Sequence, residues 1–290
     1  MVLDPYCLCC QLNIHEKKIR EFDDQSRKNE YITKVLNRLS NQKETDCAPS
    51  LSVELKEMFS EFWNIPQIDF TEIKKEFNQM ILNMEEEIRT LIENSEDPLE
   101  AALIYSRIGN YIDFAAMANV EKDVVLDMLQ SENKQPLNPE EYRHFLEELS
   151  QARSLVYLAD NCGEIVFDKI VIELLQKKYP DLKITVLVRG FPAANDATME
   201  DAEMVGLTAL TTVVGNGSRI GGTWLSDISE EALSLLNDAD LILSKGQGNF
   251  ETLRKSGYNI YYLFLCKCEL FTRLFNVNRF DGMFVNERRI

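Results

Sequence analysis

Polar side chains follow the apolar runs of residues 153–267 at the points where these runs end. Two acids and an amide, Asp160, Asn161 and Asp196, come after the first two runs, and Lys245 ends the fourth. Carboxylate and amide oxygens are hard ligands that suit Mg²⁺ or Mn²⁺, whereas zinc prefers cysteine and histidine. These residue types favour a divalent-cation site with a lysine available for an anion such as phosphate. The other polar residues in such positions are Glu164, Arg189, Asn195, Asn216, Gln247, Asn249 and Lys267.

The apolar runs must form neighbouring strands if these polar groups are to meet. From residue 153 onward, short runs rich in Val, Ile, Leu and Tyr alternate with helix-like stretches, which predicts a parallel sheet covered by helices on both faces. Ligands of open α/β sheets bind beyond the carboxyl ends of the strands, so we expect one cleft at that edge. The predicted strands are "SLVYLAD", "KITVLVRG", "LTTVVGNG", "DLILSKG" and "IYYLFLCK", with "DGMFVNE" as an additional one.

The N-terminal half has a different pattern. Residues 11–150 place apolar side chains at spacings of three and four, which is typical of helices. Asp97 and Asn138 each precede a proline, the order expected where a helix begins. We therefore predict an α/β fold, a three-layer α/β/α sandwich with a mainly parallel sheet preceded by an all-helical N-terminal region. The predicted division is 1–150 for the helical region and 151–290 for the α/β domain.

Composition limits the partners and the compartment. The chain has 31 basic and 48 acidic residues, a formal charge of 31 − 48 = −17, which repels nucleic-acid backbones and anionic lipid. The apolar run at residues 260–266 is far too short to span a bilayer, and no secretory leader is visible. Seven cysteines without an export signal favour a reducing compartment. We expect a cytoplasmic protein with neither nucleic acid nor a membrane as partner.

Glycine-rich loops follow the third and fourth runs. "GNGSRIGG" reads G-x-G-x-x-x-G and lacks the acid expected of a dinucleotide loop, and no G-x-x-x-x-G-K-[ST] occurs. In "SKGQGNFE" two glycines let the backbone approach a ligand, and a helix beginning at Asn249 directs N–H groups towards an anion. An S-adenosylmethionine-dependent carboxyl methyltransferase is one alternative, because its cofactor favours a glycine loop such as "VVGNG". A non-catalytic metal- or metabolite-binding protein is the other.

Cysteine pairs occur near both ends of the chain, Cys7 with Cys10 and Cys266 with Cys268. A Cys₄ zinc site is an alternative if the pairs meet, but the second pair has the wrong spacing, so free thiols are favoured. Cys162 precedes a predicted helix. Both histidines lie in the helical half, so we expect Cys162 to be a packed residue rather than a nucleophile.

Four segments resemble one known family in the same order: "GNYIDF", "DNCGEIVFD", "VRGFPAANDAT" and "SKGQGNFETL". Together they are similar to the metal-dependent damage-control phosphatases, a former domain-of-unknown-function family. The N-terminal cysteine pair resembles the stand-alone prokaryotic subgroup, so the matches extend from residue 7 to about residue 268. The resemblance implies an α/β/α sandwich with a helical N-terminal region. It also implies a divalent-metal phosphatase acting on small phosphorylated metabolites, such as sugar phosphates or damaged phospho-metabolites.

By position, the resemblance implies that Asp160, Asn161 and Asp196 bind the metal ion, which would be Mg²⁺, Mn²⁺, Co²⁺ or Ni²⁺. Lys245 and Asn249 fall where the family holds phosphate or substrate. Asp160, Asp196 and Lys245 are the predicted catalytic residues. The residues further predicted to line the substrate side of the cleft are Asn110, Asp113 and Glu164.

The expected mechanism neutralises charge on the phosphate and supplies an in-line nucleophile. The ion would polarise the phosphorus, Lys245 would neutralise a second oxygen, and the backbone of residues 246–249 a third. Water activated by the ion is the simplest nucleophile, and direct attack by Asp160 is the alternative. One departure affects substrate preference, because eukaryotic sugar-phosphate members carry an acid and a longer residue where this chain has Gln247 and Gly248.

Overall fold

The computed structural model of this chain describes residues 3–109 and 135–290. Its strands are β1 (Ser154–Leu158), β2 (Lys183–Val188), β3 (Thr212–Gly215), β4 (Leu241–Lys245), β5 (Ile260–Leu265) and β6 (Gly282–Asn286). Its helices are α1 (Pro5–Lys18), α2 (Gln25–Ser40), α3 (Ala48–Trp63), α4 (Thr71–Leu82), α5 (Glu85–Glu93), α6 (Pro98–Gly109), α7 (Pro139–Leu149), α8 (Glu164–Lys178), α9 (Met199–Met204), α10 (Leu207–Leu210), α11 (Glu230–Asn237), α12 (Gln247–Leu253) and α13 (Glu269–Phe275).

Contacts divide the chain into two compact units, Met1–Asp69 and Phe70–Ile290. The first unit contains α1–α3, whose apolar faces bury Tyr31 together with leucine and valine side chains. The second unit contains α4–α7 and the whole sheet, so the boundary predicted after residue 150 lies inside it. Within residues 3–109 and 135–290, no helix combines the length and apolar character needed to cross a membrane.

The predicted helix starts at Asp97 and Asn138 are confirmed. Each side chain accepts hydrogen bonds from two backbone N–H groups in the first turn of the following helix, α6 for Asp97 and α7 for Asn138. These bonds satisfy donors that the start of a helix leaves without intrahelical partners. The periodic stretch at residues 70–95 forms two helices, α4 and α5, which are separated at Asn83 and Met84.

All six predicted strands form, in the order β3-β2-β1-β4-β5-β6. Neighbouring strands are parallel except for β6, which pairs antiparallel with β5. The chain moves outward from β1 to β3 and then returns to place β4 on the other side of β1. The carboxyl ends of β1 and β4 therefore flank the point where the strand order reverses, which is where open α/β sheets bind ligands.

Helices cover both faces of the sheet, as predicted. Successive side chains of a strand point to opposite faces, so Leu155 and Tyr157 pack in one core with residues from α4–α10. Val156 and Leu158 pack in a second core with residues from α11–α13. The three-layer α/β/α sandwich and the preceding helical region are thus confirmed.

Candidate functional site

The loops that follow β1 and β2 are paired through their backbones. The carbonyl of Asp160 accepts the N–H of Ala197 at 2.7 Å, and Cys162 N donates to the carbonyl of Asn195 at 2.8 Å. Asn161 and Asp196 lie opposite each other in this short antiparallel bridge. The three residues predicted to bind a metal ion are therefore brought to one place at the carboxyl edge of the sheet.

A buried arginine joins the two carboxylates. Arg189 directly follows β2, and its side chain is buried. Its Nε donates to Asp196 Oδ2 at 2.6 Å, and its Nη2 lies 3.6 Å from Asp160 Oδ1. Arg189 was not among the predicted site residues, although its position directly after a strand was the available signal.

The amide of Asn161 is held from both ends. Its Nδ2 donates to Asp160 Oδ2 at 2.6 Å and to Glu164 Oε2 at 2.9 Å. Its Oδ1 accepts a hydrogen bond from Asn195 Nδ2 at 2.8 Å. Glu164, which begins α8, is fully buried and thus contacts the amide from the core side.

Acidic groups are crowded around Asp160. Burial, followed by the charges of Asp196 and Glu164, raises the pKa of Asp160 to about 8, whereas Arg189 and Lys267 act in the opposite direction. A carboxyl group shifted this far by burial and like charges is stabilised in its ionised form by a nearby cation. The electrostatics of the site therefore favour a bound positive ion.

The Asp160 carboxylate occupies the space that a side chain on residue 246 would fill, and residue 246 is a glycine. It follows β4 with φ +77° and ψ 155°, a region essentially restricted to glycine. A Cβ atom at this position would lie 2.0 Å from Asp160 Oδ2. The absence of a side chain at residue 246 is thus required by both the backbone and the carboxylate.

Replacing Gly246 by alanine is expected to displace the Asp160 carboxylate and to lower the phosphoester hydrolysis predicted from the sequence about 100-fold, as misplacement by about 1 Å does in enzymes. Gly206→Ala is the control for a positive φ alone, because Gly206 has a φ of +79° in the left-handed helical region and a Cβ there meets no atom within 4 Å. Steady-state kinetics of both variants test this prediction. Equal losses in the two variants would attribute the effect to backbone strain alone.

Lys245 is directed into the core rather than towards the open edge. Its side chain is fully buried, and its Nζ contacts the Glu164 carboxylate and lies 2.9 Å from Asp168 Oδ1. Burial alone would lower the pKa of Lys245, but the two carboxylates raise it above its usual value. The predicted contact of Lys245 with a substrate phosphate stays a prediction. Asp168 was missed by the sequence reasoning, although its spacing of four from Glu164 places both acids on one face of α8.

The amide of Asn249 is engaged with protein groups. Its Nδ2 donates to the carbonyls of Lys245 at 2.7 Å and Ala159 at 3.3 Å, and its Oδ1 accepts from Thr223 Oγ1 at 2.7 Å. Asn249 thereby ties the ends of β1 and β4 together, and its predicted substrate contact stays a prediction. The helix expected to begin at Asn249 begins two residues earlier, at Gln247. The predicted residues Asn110 and Asp113 lie outside the described residues.

Gln247 is engaged with the loop that follows β5. Its Oε1 accepts the backbone N–H groups of Lys267 at 2.8 Å and Cys268 at 3.1 Å. Its Nε2 donates to Glu251 Oε1 at 2.7 Å. The neighbouring Gly248 is packed against a second loop, since a Cβ there would lie 2.8 Å from the carbonyl oxygen of Gly221. The two positions at which this chain departs from the eukaryotic members thus contact protein.

Glu251 should make stability pH-dependent, because burial raises its pKa from 4.5 to about 7. Between these pH values the native state keeps a proton that the unfolded chain has released, so stability falls as pH rises and levels off above about 7. Glu251→Gln retains an oxygen acceptor for Gln247. We expect it to equal the native protein at pH 5 and exceed its free energy of unfolding by about 2 kcal/mol at pH 8. Urea denaturation at both pH values measures this, and a pH-independent difference would contradict it.

The glycine loop after β3 packs against the loop after β2. Asn216 Oδ1 accepts the N–H groups of Gly190 and Ser218, both at 2.9 Å. A Cβ on Gly190 would lie 2.3 Å from the nitrogen of Gly217, which itself has a φ of +77°. The glycines of "VVGNG" and "VRG" therefore allow these two strand-end loops to meet.

The donor set at this edge suits a hard divalent cation. In the ranges 3–109 and 135–290, no three His, Cys, Asp or Glu side chains are grouped in the manner of a metal site. The available donors are instead two carboxylates and one amide, from Asp160, Asp196 and Asn161. One of the carboxylates, that of Asp160, packs against Gly246 where a side chain would not fit. Oxygen donors of this kind fit Mg²⁺ or Mn²⁺. No disulfide links the cysteines that the structure describes.

The fold and this edge define an α/β protein whose polar residues gather at the topological switch point of a mainly parallel sheet. The family described as the damage-control phosphatase ARMT1-like domain matches residues 3–283. The chain belongs to this family.

Individual relatives agree with the family assignment. The damage-control phosphatase of Pyrococcus horikoshii is 30% identical over 276 residues, with 92% of each chain covered. That of Archaeoglobus fulgidus is 28% identical over 284 residues, covering 96% of each. An uncharacterized protein of Methanocaldococcus jannaschii is 35% identical over 212 residues, 69% of this chain and 67% of its own. The crystal structure of a DUF89 family protein from P. horikoshii covers 99% of both chains, with a TM-score of 0.76 at 26% identity.

Proposed function

We propose that this protein is a divalent-metal-dependent phosphatase that hydrolyses small phosphorylated metabolites, such as sugar phosphates or damaged phospho-metabolites. The observation that carries the proposal is the pairing of the loops bearing Asp160 and Asp196, whose carboxylates meet around Arg189 at the switch point of the sheet. Membership of a family whose relatives are named damage-control phosphatases supports the reaction class.

Asp160, Asn161 and Asp196 would hold the metal ion. When bound, the ion supplies Lewis-acid polarisation of the phosphoryl group and activates the attacking nucleophile. Arg189 keeps the two carboxylates in place, because its Nε donates to Asp196 Oδ2 and its Nη2 faces Asp160 Oδ1. Glu164 and Asn195 fix the Asn161 amide from opposite ends.

Positive groups near the acids complete the proposed site. Lys245 lies behind Glu164, and Lys267 acts on the Asp160 carboxyl from the loop after β5. On a chain with a formal charge of −17, such local cations are needed to attract a phosphate ester. We propose that Lys267 neutralises phosphate charge, whereas Lys245, buried between Glu164 and Asp168, holds the Glu164 carboxylate. A cytoplasmic location is part of the same proposal.

The test is hydrolysis of p-nitrophenyl phosphate by metal-stripped protein, with Mg²⁺, Mn²⁺, Co²⁺ or Ni²⁺ added back separately. Turnover that appears only with a divalent ion supports the proposal. A panel of sugar phosphates and other phosphorylated metabolites then ranks substrates by kcat/KM. Metal binding without turnover of any phosphoester would favour the non-catalytic binding protein instead.

A further inference from the structure

A chain of hydrogen bonds connects the core of the second unit with the candidate site. It begins at Asp168 Oδ1, which accepts from Ser106 Oγ at 2.6 Å, from Tyr157 OH at 2.6 Å and from Lys245 Nζ at 2.9 Å. All four side chains are buried. Asp168 is therefore held by donors from α6, β1 and β4, three elements that do not move independently in a packed core.

The outer half of this chain of hydrogen bonds ends at the amide of Asn161. Lys245 Nζ donates to Glu164 Oε1, and Glu164 Oε2 accepts from Asn161 Nδ2 at 2.9 Å. The other proton of this nitrogen is directed to Asp160 Oδ2 at 2.6 Å. The two ends of an asparagine amide have nearly the same shape, so hydrogen-bond partners decide where the oxygen points. With its nitrogen committed to two carboxylates, Asn161 directs Oδ1 to the opposite side, towards Asn195.

Fold stability does not explain why this chain of hydrogen bonds contains charged side chains. Asp168, Glu164 and Lys245 are all fully buried, and together they carry a formal charge of −1. Asp168 Oδ2 has no hydrogen-bond partner among the described residues. Burial raises the pKa of Asp168, and Lys245 opposes this shift. Neutral or apolar replacements of buried ion clusters are often as stable as the original or more so, so an unbalanced cluster indicates another role.

We propose that Asp168 is a positioning residue. Acting through Lys245 and Glu164, it holds the Asn161 amide in place, and through the amide nitrogen it positions the Asp160 carboxylate for the metal ion. The inference rests on the metal-dependent phosphatase function proposed above. Groups that orient the ligands of a metal ion in this way typically change metal affinity 10- to 100-fold when they are replaced.

The test titrates Mn²⁺ into metal-stripped protein by isothermal calorimetry and also records thermal unfolding of the metal-free protein. Asp168→Asn should weaken Mn²⁺ binding about tenfold, while its unfolding temperature without metal stays equal or rises. Ser244→Ala is the matched control. Ser244 is fully buried, precedes Lys245 in β4, and its hydroxyl has no partner among the described residues. This control should bind Mn²⁺ as the native protein does.

Native Mn²⁺ affinity in a folded Asp168→Asn variant would overturn the proposal. If that variant does not fold, Tyr157→Phe and Ser106→Ala decide, because each removes one hydrogen bond from Asp168. Weaker Mn²⁺ binding in both supports the positioning role, and unchanged binding in both refutes it. A native protein that binds Mn²⁺ but hydrolyses no phosphoester would refute the phosphatase function while the same titration still decides the role of Asp168. Absence of any Mn²⁺ binding would overturn both.

Discussion

Replacement of Asp196 by asparagine is expected to lower kcat with Mn²⁺ or Mg²⁺ about a thousandfold. A metal ion at the proposed site would contribute several kcal/mol of charge stabilisation to the transition state, and each 1.36 kcal/mol corresponds to a tenfold change in rate. An asparagine oxygen still accepts from Arg189 Nε, which Asp196 binds at 2.6 Å, so the fold should persist. The buried guanidinium also keeps Asp160 as a counter-ion, with Nη2 3.6 Å from its Oδ1. Asp160→Asn should have an effect of similar size on kcat.

Steady-state kinetics with each metal ion, alongside thermal unfolding, measure this effect. Asp227→Asn is the matched control, because it makes the same change in a carboxylate that accepts from Ser218 Oγ at 2.6 Å in the loop after β3. We expect the control to retain native kcat. An Asp196→Asn variant with native kcat would refute the assignment of Asp196 as a metal ligand, whereas equal losses in both variants would indicate a general effect of neutralising acids.

The sheet and its edge could be predicted from the sequence because strand ends are marked locally. Each apolar run stops at a polar residue or glycine, and the right-handed βα alternation then leaves few ways to order parallel strands. That is why Asp160 and Asp196 could be assigned to one edge before their loops were seen to pair. The contacts of Arg189 were harder to predict. The side chain of a residue that follows a strand can point to solvent or between two carboxylates, and only the pairing of the loops determines which direction it takes.

The sequence contains a signal for the burial of Lys245 that the prediction did not use. Leu241, Leu243 and Lys245 alternate along β4, and the two leucines pack in the core beneath α6 and α8. Period-two alternation places Lys245 on the same face, where Glu164 and Asp168 are four residues apart on α8. The contacts themselves depend on helix–sheet packing over more than 70 residues of sequence separation. Such long-range packing is not encoded in any local pattern.

The boundary between the two compact units, after Asp69, could not be read from composition. The helical periodicity of apolar residues continues from the first unit into the second. It gives way to short apolar runs only near residue 150, where the sheet begins. Helices α4–α7 bury their apolar faces in the same core as the sheet, for example at Phe77, Leu103 and Phe145. Their apolar periodicity predicts a buried face, but it does not specify which surface covers that face.

Replacement of Lys245 by methionine is expected to lower the free energy of unfolding by about 3–5 kcal/mol, the usual effect of removing one partner from a buried ion cluster. Methionine fills a similar volume, so the loss is electrostatic: Glu164 and Asp168 would remain fully buried without their shared ammonium group. Activity should also fall, because Lys245 holds the Glu164 carboxylate that fixes the Asn161 amide. Urea denaturation at pH 7, with kinetics of the folded protein, measures both effects.

The double variant Lys245→Met/Asp168→Asn tests whether the loss of stability is electrostatic. Removing one of the two unpaired carboxylates should recover about half of the lost free energy of unfolding.

Lowering the pH should have a similar effect on the stability of Lys245→Met. Burial already raises the pKa of Asp168, and the loss of Lys245 removes the charge that opposes this shift. The native state therefore takes up a proton before the unfolded chain does, so the stability deficit shrinks as the pH falls towards the usual pKa of an aspartate. Lys75→Met is the control, since Lys75 pairs with Glu72 at 2.8 Å in an exposed position and should lose at most about 1 kcal/mol. A Lys245→Met protein as stable as the native one at pH 7 would contradict the electrostatic role of the buried cluster.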